Sequence, residues 1–132
     1  MNAESLMTKD PLTAHPESKV IDVMNLMMEH DIRHIPITDK GDLVGMISDR
    51  DLQHTFNLLR DSMNDARAFL DRRAVDIMQG DVIQVEPDAS VSLVASCLVE
   101  NQIGALLVVN PDGRLEGIIS YVDILKVVAD QG

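Results

Sequence analysis

The chain has 132 residues, with 22 acidic against 11 basic side chains, a formal net charge of −11 and an apolar content of 45%. Such an acidic surface repels a phosphate backbone, which sets aside bulk nucleic acid and anionic membrane as partners. A single cysteine, Cys97, excludes an internal disulfide, and no apolar run approaches the about 18 residues that span a bilayer. A soluble, cytoplasmic protein is expected, and Met1-Asn2-Ala3-Glu4-Ser5, with neither a basic start nor an apolar run, does not read as a signal peptide.

In chain order, Leu6-Met7 and Pro16 lead to Ser18, which stands where a helix N-cap belongs. Val20, Val23, Met24 and Met27 follow at i, i+3, i+4 and i+7, the spacing of one buried helix face. A short strand is predicted over Ile35–Thr38, a turn at Asp39-Lys40-Gly41-Asp42, and a second strand over Leu43–Ile47. Ser48 then opens another helix. From Leu52 to Arg73 the chain is polar, with Leu52, Phe56, Leu59, Met63 and Phe69 interspersed and no Pro or Gly, so it reads as mostly helical.

The same order then returns. Leu6-Met7 recurs as Ile77-Met78 and Pro16 as Pro87, each 71 positions on, and Val20, Val23 and Met27 recur as Val91, Val94 and Leu98. Ser90 takes the cap position, and Leu106–Val109 the first strand. Asn110-Pro111-Asp112-Gly113 supplies the turn with one inserted residue, after which Leu43, Gly45, Ile47, Ser48 and Asp51 map onto Leu115, Gly117, Ile119, Ser120 and Asp123 at an offset of 72. Repeat 1 with its N-terminal segment occupies 1–60, an inter-repeat helical segment 61–73, and repeat 2 occupies 74–132. One copy of about 60 residues buries too little surface to stand alone. The expected fold is therefore α/β of the α+β kind, two β-α-β-β-α repeats packed sheet to sheet with pseudo-two-fold symmetry.

The residues that carry chemistry are Gly45-Met46-Ile47-Ser48-Asp49-Arg50-Asp51 and Gly117-Ile118-Ile119-Ser120-Tyr121-Val122-Asp123. Both read Gly, apolar, apolar, Ser, any, any, Asp at a strand-to-helix junction. A helix N-terminus offers unpaired N–H groups to a phosphate, the serine adds a hydroxyl, and the carboxylate can accept from vicinal ribose hydroxyls. Glycine lets a ligand approach the backbone. The same Ser-x-x-Asp is also a capping box that merely stabilises a helix start, and both roles stay open.

On these residues the chain resembles the cystathionine-β-synthase (CBS) domain family, as a tandem pair of the kind called a Bateman module. Further carriers are Met7 with Pro11 and Pro16, the segment Ile32-Arg33-His34-Ile35-Pro36-Ile37-Thr38-Asp39, and Ile103-Gly104-Ala105-Leu106-Leu107-Val108-Val109. The resemblance implies a regulatory module, not an enzyme, that holds AMP, ADP, ATP or a related adenosyl compound in clefts between the two repeats. It implies Ser48 with Asp51, and Ser120 with Asp123, as phosphate and ribose ligands, beside Gly45 and Gly117. Adenine would lie near Leu12-Thr13-Ala14 and Val82-Ile83-Gln84. A homodimer and a separate effector protein are also implied, as is the absence of a resident cofactor.

The copies differ in charge: Arg33, His34 and Arg50 correspond to Gly104, Ala105 and Val122. Those basic groups could neutralise a phosphate, or could pair with nearby acids on the surface. A purely structural or dimerising module with vestigial pockets is the alternative reading. The four histidines, at 15, 30, 34 and 54, match no zinc spacing, and Cys97 reads as a small core residue.

Overall fold

The computed structural model describes Met1–Gln131. Its elements in chain order are α1 (Ala3–Leu6), β1 (Thr8–Lys9), α2 (Val20–His30), β2 (His34–Asp39), β3 (Asp42–Ser48), α3 (Asp49–Leu59) and α4 (Met63–Leu70). They continue with α5 (Ala74–Ile77), β4 (Gln84–Val85), α6 (Val91–Asn101), β5 (Ala105–Val109), β6 (Leu115–Ser120) and α7 (Tyr121–Gln131). The chain is thus mixed α/β, and the strand–turn–strand–helix order appears twice.

Two compact units form, and neither is a continuous half of the sequence. The first, built on repeat 1, holds Leu12–Lys40 and Val44–Asp81; the second holds Met1–Pro11, Gly41–Leu43 and Val82 onward. Each repeat therefore gives its leading segment to the unit built on the other repeat. In the second unit the sheet runs β1-β6-β5-β4, with β1 antiparallel to β6 (Thr8 opposite Ile118) and β4 parallel to β5 (Val85 opposite Val108). The first unit has the same order in reduced form. Single bridges join Gln79 to Met46 and Ala14 to Ile37 on either side of the β2–β3 pair.

Apolar spacing positions both cores. Val20, Val23 and Met27 of α2 are buried against Ile35, Ile37, Ile47 and Leu52 in the first unit. Val94 and Leu98 of α6 meet Leu106, Val108 and Ile119 in the second. Full burial of each such side chain is worth about 1.5–3 kcal/mol, so these few positions dominate the stability of each unit. Cys97 is half-buried and packs against the second core, consistent with a small apolar role.

The helix ends depart from expectation. Ser18 does not cap α2: the N-cap is Lys19, without a side-chain hydrogen bond, and the Ser18 hydroxyl accepts from the His15 N–H instead. Ser90 does cap α6, accepting from the Leu93 N–H at 3.0 Å. At the 71-residue offset Ser90 corresponds to Lys19, so the two serines are one register apart. Both helices end on a left-handed non-glycine residue, Asp31 (φ 51°) and Gln102 (φ 52°), which no glycine announces in the sequence. Ile32 N–H and Ile103 N–H then donate to Met27 and Leu98 carbonyls and close each end.

The 61–73 segment is helical over Met63–Leu70, interrupted before it where Ser62 leaves helical geometry and accepts from the Asp65 N–H. Phe69 anchors this helix edge-on against Phe56, ring centroids 5.3 Å apart at 81°. The chain's two phenylalanines thus fix the inter-repeat segment to α3. The one-turn helices α1 and α5 carry no periodicity long enough to read.

Candidate functional site

In the first unit, β3 runs into α3 at Ser48, the N-cap, whose hydroxyl accepts from the Asp51 N–H at 3.1 Å. Extended backbone at Ser48 (ψ 151°) turns the chain, and the Asp49 N–H donates to the Arg33 carbonyl at 2.8 Å, fixing the corner to the start of β2. The Asp51 carboxylate is exposed and accepts from the Gln79 side-chain amide at 3.2 Å. Gln79 is itself held by two backbone hydrogen bonds with Met46, each 3.0 Å. Nothing in the sequence singled out Gln79, because its place beside Asp51 depends on the leading segment of repeat 2 joining the first unit.

The second corner has the same backbone and a different side-chain arrangement. Tyr121 N–H donates to the Gly104 carbonyl at 3.1 Å, the counterpart of the Asp49–Arg33 bond. Here Asp123 turns back: one carboxylate oxygen accepts from the Ser120 N–H at 2.9 Å and from the Ser120 hydroxyl at 3.3 Å. Asp123 is half-buried where Asp51 is exposed. Tyr121, inside the motif, is 56% exposed.

The glycines have protein against them. A Cβ on Gly45 would lie 2.5 Å from Met78 Sδ and 2.9 Å from the Gln79 carbonyl, and one on Gly117 would lie 2.6 Å from Met7 Cγ. The close approach that glycine permits at these positions is that of the leading-segment methionines.

At the first corner stand Arg33, His34 and Arg50, where the second has Gly104, Ala105 and Val122. Arg33 pairs with Asp49 at 3.6 Å, an exposed contact of small energetic weight, and Arg50 is exposed. His34 is half-buried at the start of β2, and burial pushes its pKa down. The carboxylates of Asp51 and Asp49 oppose that shift, and the Arg33 guanidinium adds to it.

An open pocket of about 390 Å³ also lies in the first unit, lined among others by Thr13, Ala14, Ser18, Val23, Thr38 and Lys40. Its volume suits a small organic ligand, and it contains the Thr13-Ala14 stretch. Ala14 pairs with β2 through the Ala14 N–H to the Pro36 carbonyl and the Thr38 N–H to the Ala14 carbonyl. The repeat-related positions of Thr13, Ser18 and Thr38 are Gln84, Ala89 and Val109, so the hydroxyls of Ser18 and Thr38 have no polar counterpart. Among the described residues, no three His, Cys, Asp or Glu side chains come together to hold a metal, and no helix is long and apolar enough to cross a membrane.

The family model described as CBS domain matches twice, at residues 3–57 and 74–130. Protein MJ1225 of Methanocaldococcus jannaschii is 31% identical over 132 residues, covering 96% of this chain and 46% of its own length. Its crystal structure superposes with a TM-score of 0.87, so the chain spans about half of that relative. The CBS domain pair of protein MJ0100, solved with 5′-methylthioadenosine and S-adenosyl-L-methionine, is 26% identical with a TM-score of 0.81, covering 100% of this chain and 98% of that one. CBSX2, solved in complex with AMP, is 25% identical with a TM-score of 0.82, covering 98% and 96%.

Proposed function

Because this chain belongs to the CBS domain family, as two tandem copies of the domain, we propose that it is a regulatory module that binds an adenosine-containing compound. The ligand class is AMP, ADP, ATP or a related adenosyl molecule. The observation that carries this proposal is the Ser-x-x-Asp corner at the same strand-to-helix junction in both units, in a chain that aligns along its whole length with pairs solved with AMP and with adenosyl ligands. Ser48 and Asp51, with Arg33, His34 and Arg50 beside them, are assigned to phosphate and ribose. Ser120 and Asp123 form the second, less basic corner. The Thr13–Ala14 pocket is assigned to the base. The one hydroxyl–carboxylate pair at these corners, Ser120 with Asp123, is accounted for by the helix start it closes, which supports action by binding and not by conversion. The signal then passes, from a homodimer, to a separate effector protein, and it can be no larger than the ligand's differential affinity for two states of the module.

One observation favours a second reading, a structural module. Both serines and Asp123 already make hydrogen bonds that stabilise helix starts. Titration calorimetry and thermal melts with AMP, ADP, ATP, 5′-methylthioadenosine and S-adenosylmethionine separate the two. A sensing module is stabilised by about 2.7 kcal/mol at 100 times its Kd, and Asp51→Ala with Asp123→Ala removes that gain. No heat and no stabilisation at millimolar AMP, in protein shown to be folded, overturns the proposal.

A further inference from the structure

The two corners share a backbone and differ in what holds the carboxylate. At the first, the Gln79 amide donates to Asp51, and Gln79 cannot drift because its own N–H and carbonyl pair with Met46. At the second, Thr8 pairs with Ile118, the position related by the repeat to Met46, so Thr8 stands where Gln79 stands. Thr8 is exposed and too short to reach as an amide does, and Asp123 folds back onto Ser120.

Both bonds from Ser120 fall on one Asp123 oxygen, Oδ2, and use its acceptor capacity, so a diol meets one oxygen there that neither bond occupies. A carboxylate held from the side by a neutral amide keeps acceptor capacity on both oxygens, and its rotamer is set in advance.

We infer that Gln79 is a positioning residue that presents Asp51 to the ribose and makes the first corner the stronger of the two. The inference rests on the adenosine reading above and assigns the difference between the sites to one residue pair, Gln79 and Thr8. The Gln79→Thr exchange, which installs the second corner's residue and leaves the Met46 pairing intact, weakens AMP binding by about two- to tenfold, the value of one net neutral hydrogen bond. The reciprocal Thr8→Gln, made in a chain whose first corner is disabled by Asp51→Ala, strengthens AMP binding by a similar factor.

Gln79→Glu adds a readout that a packing role would not move. It sets two carboxylates against each other, so its AMP affinity relative to wild type is lowest near pH 7 and recovers towards pH 5, as one carboxyl takes up a proton and donates again. Calorimetry with AMP, with thermal melts confirming folding, reads all three variants. Wild-type protein that binds no AMP removes the adenosine reading and this inference with it. Wild-type binding that both exchanges leave unchanged, or a Gln79→Glu ratio flat with pH, overturns the inference alone.

Discussion

Substituting Gly45 by Ala tests what the glycine of the corner is for. The new methyl would lie 2.5 Å from Met78 Sδ, 2.8 Å from Met78 Cγ and 2.9 Å from the Gln79 carbonyl oxygen. The Met78 side chain can rotate away; the carbonyl cannot, because it accepts from the Met46 N–H at 3.0 Å in the pairing that ties the leading segment to β3. Overpacking of this kind costs about 1–3 kcal/mol. Alanine restricts the unfolded chain more than glycine does and returns about 0.4–1 kcal/mol. The net expectation is a loss of about 1–2 kcal/mol without any ligand, read in urea as a midpoint lower by about 0.5–1 M at a typical slope. Met78→Ala in the same background relieves the sulfur contact but not the carbonyl contact. The double variant should therefore be more stable than the sum of the singles predicts, by about 1 kcal/mol. A glycine retained only to admit a ligand gives the opposite pattern: unchanged or raised stability, with lost affinity. An unshifted midpoint, or strict additivity with Met78→Ala, refutes the packing explanation.

Two further side chains, His34 and Phe69, can be perturbed in the same unit. His34 is harder to protonate in the folded chain than in the unfolded one, because burial outweighs the nearby carboxylates. Its contribution to stability is therefore complete above pH 6.5 and declines as the pH falls below that value, where the unfolded state takes up the proton first. Urea midpoints for wild type and His34→Gln between pH 7.5 and 5.5 should diverge in that direction, and parallel curves would contradict it. Phe69, 7% exposed and edge-on to Phe56, loses its packing in Phe69→Ala at a cost of about 3–5 kcal/mol. Hydrogen exchange should then locate the loosening at α4, and a cost below about 1 kcal/mol would show that α4 is not anchored as described.

The duplicated apolar spacing made both cores legible, since Val23 and Val94, or Ile37 and Val108, occupy matching buried positions. It also placed the Ser48 corner at a strand-to-helix junction. What sequence order could not show was which unit each leading segment would join. Met7 and Met78 are close in sequence to the repeats they precede, and each packs on the glycine of the other repeat. Gln79 was invisible for the same reason: no local pattern brings residue 79 beside residue 51. The misplaced cap at Ser18 has a local cause. Serine, as a turn former, is suited to both positions, and the His15 N–H competes for its hydroxyl.

These exchanged segments change what a complete Gly–Ser–Asp motif signifies. At each corner the glycine makes room for a methionine, and the serine serves its own helix start, accepting the Asp51 N–H in one copy and donating to Asp123 in the other. Two of the three motif residues are thus required by folding alone, whether or not a ligand ever binds. The aspartate is the member whose surroundings differ between copies, and its surroundings are set by a residue outside the motif. Discrimination between a working corner and a merely structural one therefore lies in the leading segment, at Gln79 and Thr8, where identical motifs acquire different chemistry.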